Sequence, residues 1–150
     1  IIRSDVLLLE KETLPAIALD KTLLYGSLPY YITSQIISKF LLNPNFGIPV
    51  GIFIVQKEFA QKVATEAKKK SYLRWLLNYS HTVQYNKTIS AKGFSPAPKV
   101  DSAIISIIKG ASQNINYEHM LVVLDLISGF KRKTLGKIIK MLEDNKKISS

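Results

Sequence analysis

The sequence contains no cysteine in its 150 residues. That excludes disulfide staples, thiolate zinc centres and cysteine nucleophiles together, and it fits a reducing compartment. Histidine is nearly as scarce. His81 and His119 stand 38 positions apart with no carboxylates at ligand spacing, so no metal is expected. Long apolar runs are missing as well: the longest, Ile48 to Val55, has eight residues, against the roughly 20 that a helical membrane span requires. Acidic side chains are few, 11 against 21 Lys and Arg, and the resulting net charge of +10 points to a polyanionic partner such as RNA, DNA or acidic lipid. The chain opens Ile1-Ile2-Arg3-Ser4-Asp5, with neither a methionine nor an apolar leader, which reads as entry in mid-domain.

What is present is ordinary globular material, 47% hydrophobic and 21% charged, of about one domain's length. Thr22 to Tyr25 is a short apolar run ending at Gly26. Tyr31 to Leu42 then places Ile32, Ile36, Ile37 and Phe40 at helical spacing, until Asn43-Pro44-Asn45 stops the helix. Pro49 to Val55 reads as a strand covered on both faces, and helices are expected from Lys57 to about Lys69 and from Tyr72 to Tyr79. Thr82 to Ser90 alternates, with Val83, Tyr85 and Lys87 on one face, and Val100 to Ile108 is a second apolar strand. Strands alternating with helices predict a doubly wound α/β sheet whose ligands bind at the carboxyl ends of its strands.

The polar stretch Lys109-Gly110-Ala111-Ser112-Gln113-Asn114 reads as a linker, dividing the chain into residues 1–109 and a helical sub-domain, residues 110–150. In that second part Met120, Val123, Leu124 and Ile127 form one apolar stripe, and Leu135, Ile138, Ile139 and Leu142 another. Lys133, Lys137 and Lys140 recur at i, i+4 and i+7 on the opposite face of the second helix. Residues 130–150 hold seven basic and two acidic side chains, so half the net charge sits there.

The chemistry is carried by a series of short motifs: Gly26-Ser27-Leu28-Pro29-Tyr30-Tyr31-Ile32-Thr33-Ser34, Gln56-Lys57-Glu58, Phe94-Ser95-Pro96-Ala97-Pro98-Lys99-Val100-Asp101-Ser102 and Phe130-Lys131-Arg132-Lys133-Thr134-Leu135. A Pro-Tyr loop alone is unspecific. In this order and spacing the series resembles the ribosomal RNA adenine dimethyltransferases, which dimethylate two adjacent adenines near the end of small-subunit ribosomal RNA. The resemblance runs from about Asp5 to Leu142. Related resistance methyltransferases of large-subunit RNA share the Pro-Tyr and Pro-Lys-Val loops, but Val100-Asp101-Ser102 and the Arg-Lys-Thr-Leu helix look more like the small-subunit branch. A non-catalytic RNA-binding or ribosome-assembly protein fits the composition equally well.

The resemblance implies the second half of a Rossmann-like methyltransferase sheet, followed by a small all-helical sub-domain, with S-adenosyl-L-methionine as cofactor. The family's glycine-rich cofactor loop has no counterpart, since no G-x-G occurs in the chain. Asp5 matches the aspartate that binds the cofactor's adenine amine. Ser27 stands where the family usually has asparagine, beside the cofactor and the target amine; the carbonyl of Leu28 is the second acceptor for that amine; Tyr30 and Phe94 would stack on the two faces of a flipped adenine. Lys131, Arg132, Lys133, Lys137 and Lys140 are the expected RNA contacts. Ribosomal RNA of the small subunit is the implied partner, and the protein is expected to act as a cytoplasmic monomer without metal.

Overall fold

The computed structural model describes residues 2–14, 18–67, 71–110, 116–130 and 133–144. Four strands form one sheet: β1 (Leu23–Ser27), β2 (Val50–Gln56), β3 (His81–Ile89) and β4 (Ser102–Lys109), in the order β1-β2-β4-β3. β1 and β2 are parallel, in the register Tyr25 opposite Ile52, whereas β4 lies antiparallel to both β2 and β3. The sheet is therefore mixed rather than wholly parallel. The physical reason lies in residues 90–101, which join β3 to β4 through a single 3₁₀ turn (Ala91–Gly93) and no helix, too little to carry the chain back for a parallel crossover. Since β3 opposes β4 and β4 opposes β1 and β2, the carboxyl ends of β1, β2 and β3 and the start of β4 all lie at one end of the sheet.

Between β1 and β2 the chain forms α1 (Thr33–Ile37), which opens directly into a π-helical turn, Ser38–Leu42, closed by Asn43 N–H on the Ser38 carbonyl. One regular helix is expected there from periodicity. The widened turn instead buries three consecutive residues, Phe40, Leu41 and Leu42, which a 3.6-residue period does not allow on one face. Gly47, at φ 54°, completes the turn after it.

α2 (Lys57–Val63) stops well short of the expected Lys69. Thr65 is claimed by β3: its N–H donates to the Val83 carbonyl and its hydroxyl accepts from Val83 N–H. Arg74 Nη2 donates to the Thr65 carbonyl at 2.8 Å, so Arg74 anchors the exit from α2. Arg74 itself rides on α3 (Tyr72–Ser80), capped by Ser71. A bulge lies between Tyr85 and Lys87 of β3, which skips Asn86, breaks the alternation and leaves Lys87 exposed instead of sharing a face with Val83 and Tyr85.

The core joins Ile37, Leu41, Phe53, Val55, Val63, Leu77, Val83, Ile105 and Ile107, and α2 packs on β2, β3 and β4. The backbone approaches closely at Gly51, where a Cβ atom would stand 2.5 Å from Phe53 Cε2 and 2.9 Å from Leu41 Cδ2. Gly51→Ala is expected to cost about 1–3 kcal/mol by overpacking, read as a lower denaturant midpoint with unchanged slope. The opposite face of the sheet is barely covered by described residues, with Leu23, Tyr25 and Ile108 exposed.

His81, buried at the start of β3, bonds through Nδ1 to Ser80 Oγ at 2.7 Å, while its Nε2 has no partner among the described residues. Burial, aided by the cation of Lys109 opposite, lowers its pKa to about 4. The folded state keeps the ring neutral where the unfolded chain already takes up a proton. Its contribution is therefore full above about pH 6.5 and is lost as the pH falls toward 4. His81→Leu should flatten the fall in melting temperature between pH 6.5 and 4.5 relative to the unsubstituted chain. Parallel curves would refute the assignment.

α4 (Tyr117–Ser128) packs against α3 and sends Leu124 into the main core. Its inward set is Met120, Leu121, Leu124 and Ile127; Val123, expected in that stripe, is 49% exposed. In α5 (Leu135–Asp144) Ile138 is buried, whereas Ile139, expected in the same stripe, is 43% exposed. The side chains of Leu135 and Leu142 lie outside the described residues, as do residues 111–115 of the expected linker. No described helix is long and apolar enough to cross a membrane.

Candidate active site

The Pro-Tyr loop leaves the carboxyl end of β1. Ser27 is the last residue of that strand, and Leu28 N–H donates to the Ile54 carbonyl at 3.0 Å, extending the parallel ladder by one rung. The chain then turns. The Pro29 carbonyl accepts from Ile32 N–H at 3.2 Å and from the Thr33 hydroxyl at 2.9 Å, which docks the loop on the start of α1. Among the described residues neither the Ser27 hydroxyl nor the Leu28 carbonyl has a hydrogen-bond partner, and Ser27 is exposed. Two adjacent acceptors are thus presented at the sheet end where open α/β folds bind ligands.

Tyr30, 41% exposed, is held by its phenol, whose Oη lies 3.3 Å from the hydroxyl of Ser102, a residue only 1% exposed. Phe94 is half-buried and ends the 3₁₀ turn Ala91–Gly93, its N–H on the Ala91 carbonyl; the Ser95–Pro96 peptide that follows is cis. The turn is fixed in its own right, since Ala91 N–H donates to Asp101 Oδ1 at 3.2 Å. Asp101 Oδ2 in turn meets Lys57 Nζ at 3.2 Å, and Lys57 N–H donates to the Asp101 carbonyl at 3.0 Å. The Ala91 N–H and the Lys57 ammonium hold the Asp101 carboxyl below the usual carboxylate range.

The loops bearing Tyr30 and Phe94 are therefore each tied to the start of β4, through Ser102 and Asp101. The Lys57–Asp101 and Tyr30–Ser102 contacts were not foreseeable from the sequence. They span 44 and 72 positions, and although these residues sit in recognisable motifs, no local pattern announces their pairing.

Asp5 lies elsewhere in the chain's first turns. Its Oδ1 accepts from Leu7 N–H at 2.8 Å and so caps a 3₁₀ turn, Val6–Leu8, while its second oxygen has no partner among the described residues. Lys39 Nζ donates to the Leu7 carbonyl at 2.7 Å and fastens that turn to the π-helical segment. Asp5 offers a free carboxylate oxygen and Ser27 a free hydroxyl, both acceptors for an amine.

Two cavities are prominent, and neither contains Ser27, Tyr30 or Phe94. The larger, about 900 Å³, is open and lined by Leu7, Glu10, Lys39, Asn43 and Phe46 among others. The other, about 300 Å³, is almost wholly apolar and includes Leu28 with Leu24, Phe40 and Phe53. Ser27 is thus exposed at the end of β1, while the half-buried Leu28 side chain borders the apolar cavity.

Of the expected RNA contacts, Lys131 and Arg132 lie outside the described residues. Lys137 and Lys140 are exposed on α5, but Lys133 is not on that helix: it belongs to the turn before it, with its N–H on the Phe130 carbonyl at 2.8 Å. The i, i+4, i+7 spacing therefore describes one helical face only for Lys137 and Lys140. Among the described residues no cluster of three or more His, Asp and Glu could hold a metal ion.

Comparison with known proteins bears on the family and the fold. Residues 1–149 match the family described as Ribosomal RNA adenine dimethylase. The Ribosomal RNA small subunit methyltransferase A of Metamycoplasma arthritidis is 37% identical over 112 residues, 73% of this chain and 43% of the relative. Its Mycoplasma mobile counterpart is 31% identical over 134 residues, 87% of this chain and 52% of the relative. Among solved structures, the 23S rRNA methyltransferase ErmE superposes with a TM-score of 0.68 at 25% identity, covering 88% of this chain and 52% of that one. A dimethyladenosine transferase from Plasmodium falciparum gives 0.62 at 25% identity, covering 85% and 52%. The chain thus spans about half the length of the relatives it matches. Its partial α/β methyltransferase sheet, its ordered motifs and a match over nearly every residue identify the chain as a member of the ribosomal RNA adenine dimethylase family.

Proposed function

We propose that the full-length protein carrying this chain transfers methyl groups from S-adenosyl-L-methionine to N6 of adjacent adenines in small-subunit ribosomal RNA. The observation that carries this reading is the pair of free acceptors, Ser27 Oγ and the Leu28 carbonyl, beside the anchored ring of Tyr30. An exocyclic adenine amine is a poor nucleophile because its lone pair is delocalised into the ring. Acceptors that grip its hydrogens draw it out of conjugation. S-Adenosylmethionine supplies an electrophilic methyl on a positively charged sulfur, so neither a metal nor a strong base is needed, and positioning carries most of the rate. Tyr30 and Phe94 clasp the base, and Asp5 and Ser27 contribute to the cofactor site. Small-subunit RNA is favoured over large-subunit RNA because the relatives at 31–37% identity are small-subunit methyltransferases.

In this reading residues 110–150 form the RNA-binding sub-domain, with Lys131, Arg132, Lys133, Lys137 and Lys140 on phosphates, and the enzyme works as a cytoplasmic monomer. Changing Lys133, Lys137 and Lys140 together to Gln should weaken RNA binding uniformly across sequences. It should also flatten the slope of log affinity against log salt by roughly 2–3 units, about 0.7–0.9 per lost phosphate contact. An unchanged slope would make these lysines merely solvated.

The reading as a whole is tested by incubating full-length protein and labelled cofactor with unmethylated small and large ribosomal subunits, followed by nucleoside mass spectrometry. N6,N6-dimethyladenosine in small-subunit RNA supports the proposal. Label in large-subunit RNA instead would favour a resistance-type enzyme, and binding without any label a non-catalytic assembly protein.

A further inference from the structure

Asp101 and Ser102 are consecutive, yet between them they touch three separate parts of the site. Ser102 Oγ meets Tyr30 Oη at 3.3 Å. Asp101 Oδ1 accepts from Ala91 N–H at 3.2 Å, at the head of the turn that ends in Phe94, and Oδ2 pairs with Lys57 Nζ at 3.2 Å at the start of α2. The backbone adds a fourth tie, Lys57 N–H to the Asp101 carbonyl at 3.0 Å.

Stability alone does not account for this convergence. The Lys57 and Asp101 side chains are each 38% exposed, and an ion pair so open to water contributes little to folding. Ser102 is buried at the start of β4, where an alanine would leave no hydroxyl to satisfy. What these polar groups do share is their reach: each one ends on a loop that carries an aromatic ring of the site.

We propose that Ser102 and the Lys57–Asp101 pair form a latch at the start of β4 that fixes Tyr30 and Phe94 relative to one another, so that Lys57, Asp101 and Ser102 are positioning residues for the base. This rests on the adenine-methylating reading above. The two arms are distinct. Ser102 orients the Tyr30 ring by its phenol, and Asp101, held by Lys57, orients the Phe94 turn by its backbone. A base sandwiched between two rings loses stacking when either ring drifts, so each arm acts on methyl transfer through the geometry of the sandwich rather than by touching the substrate.

The test uses full-length protein with 3-fluorotyrosine at position 30 or 4-fluorophenylalanine at position 94, followed by fluorine NMR without RNA or cofactor. Ser102→Ala should shift and narrow the resonance at position 30 and leave position 94 unmoved. Asp101→Ala should do the reverse, and Lys57→Met combined with Asp101→Ala should look like Asp101→Ala alone, because the two residues act as one unit. Single-turnover methyl transfer should fall roughly 3- to 10-fold for Ser102→Ala, the effect of one neutral hydrogen bond, and at least as much for Asp101→Ala, whose carboxylate makes a charged one, with RNA affinity unchanged within twofold and the rate restored by Ser102→Thr. Should Asp101→Ala fail to fold, Asp101→Asn, which keeps the acceptor for Ala91, isolates the Lys57 arm. Unmoved resonances in folded Ser102→Ala and Asp101→Ala overturn the latch even if the parent methylates normally. Resonances that move as expected in a protein that methylates no adenine uphold the latch and overturn the adenine reading instead.

Discussion

In single-turnover assays of the full-length protein, Ser27→Ala is expected to slow methyl transfer by roughly 10²–10³, with cofactor and RNA affinity nearly unchanged. The hydroxyl stands free at the end of β1, and a hydrogen bond to the target amine strengthens only as that amine leaves conjugation. Removing one such acceptor from an organised site costs about 2.7–4 kcal/mol of transition-state stabilisation. Ser27→Asn should preserve or raise the rate, because the family's usual amide keeps a carbonyl acceptor and reaches further. Single-turnover conditions separate the chemical step from product release. If Ser27→Ala matches the parent, the Leu28 carbonyl suffices and the side chain has no part in the chemistry. If the parent is inactive and Ser27→Asn awakens it, the protein is a binding factor.

Removal of either clamp ring comes next in size. Tyr30→Ala and Phe94→Ala should each lower the single-turnover rate roughly 10- to 100-fold, since stacking on one base contributes about 1–3 kcal/mol. Overall RNA affinity should move little, because phosphates dominate it. Tyr30→Phe provides a sharper comparison. It keeps the stacking face and loses only the contact with Ser102, so its defect should match that of Ser102→Ala and not that of Tyr30→Ala. Thermal unfolding of each variant checks the premise. Tyr30 is 41% exposed and Phe94 half-buried, so truncation should cost far less than the loss of a core ring such as Phe53. A collapse of stability in both would make them packing residues.

Much of the architecture is legible wherever a local pattern decides it. The apolar run around Phe53 became β2, the Tyr72–Tyr79 pattern became α3, and Asn43-Pro44-Asn45 ended its helix. Sequence periodicity failed wherever a distant partner overrode it. Thr65 left its helix to bond Val83, Asn86 bulged out of register against Ile104 and Ile105, and β4 runs antiparallel to β3 because no helix separates the two. The site divides in the same way. Ser27, Leu28, Tyr30 and Phe94 could be singled out because their motifs occur in a characteristic order, but the ties through Lys57, Asp101 and Ser102 exist only once the sheet has closed. The lysine face of α5 is an intermediate case. Helical spacing correctly exposes Lys137 and Lys140, yet the helix starts too late to include Lys133.

The central claim is that an adenine leaves its RNA and lies between Tyr30 and Phe94, with its amine on Ser27 and Leu28. The most direct measurement is a crystal structure of the full-length protein with an unreactive cofactor analogue and a short RNA bearing the target adenines. The expected result is a flipped adenine stacked between the two rings, its N6 within about 3.2 Å of both Ser27 Oγ and the Leu28 carbonyl oxygen. An adenine bound elsewhere, or left stacked in its RNA with Tyr30 and Phe94 facing solvent, would contradict it.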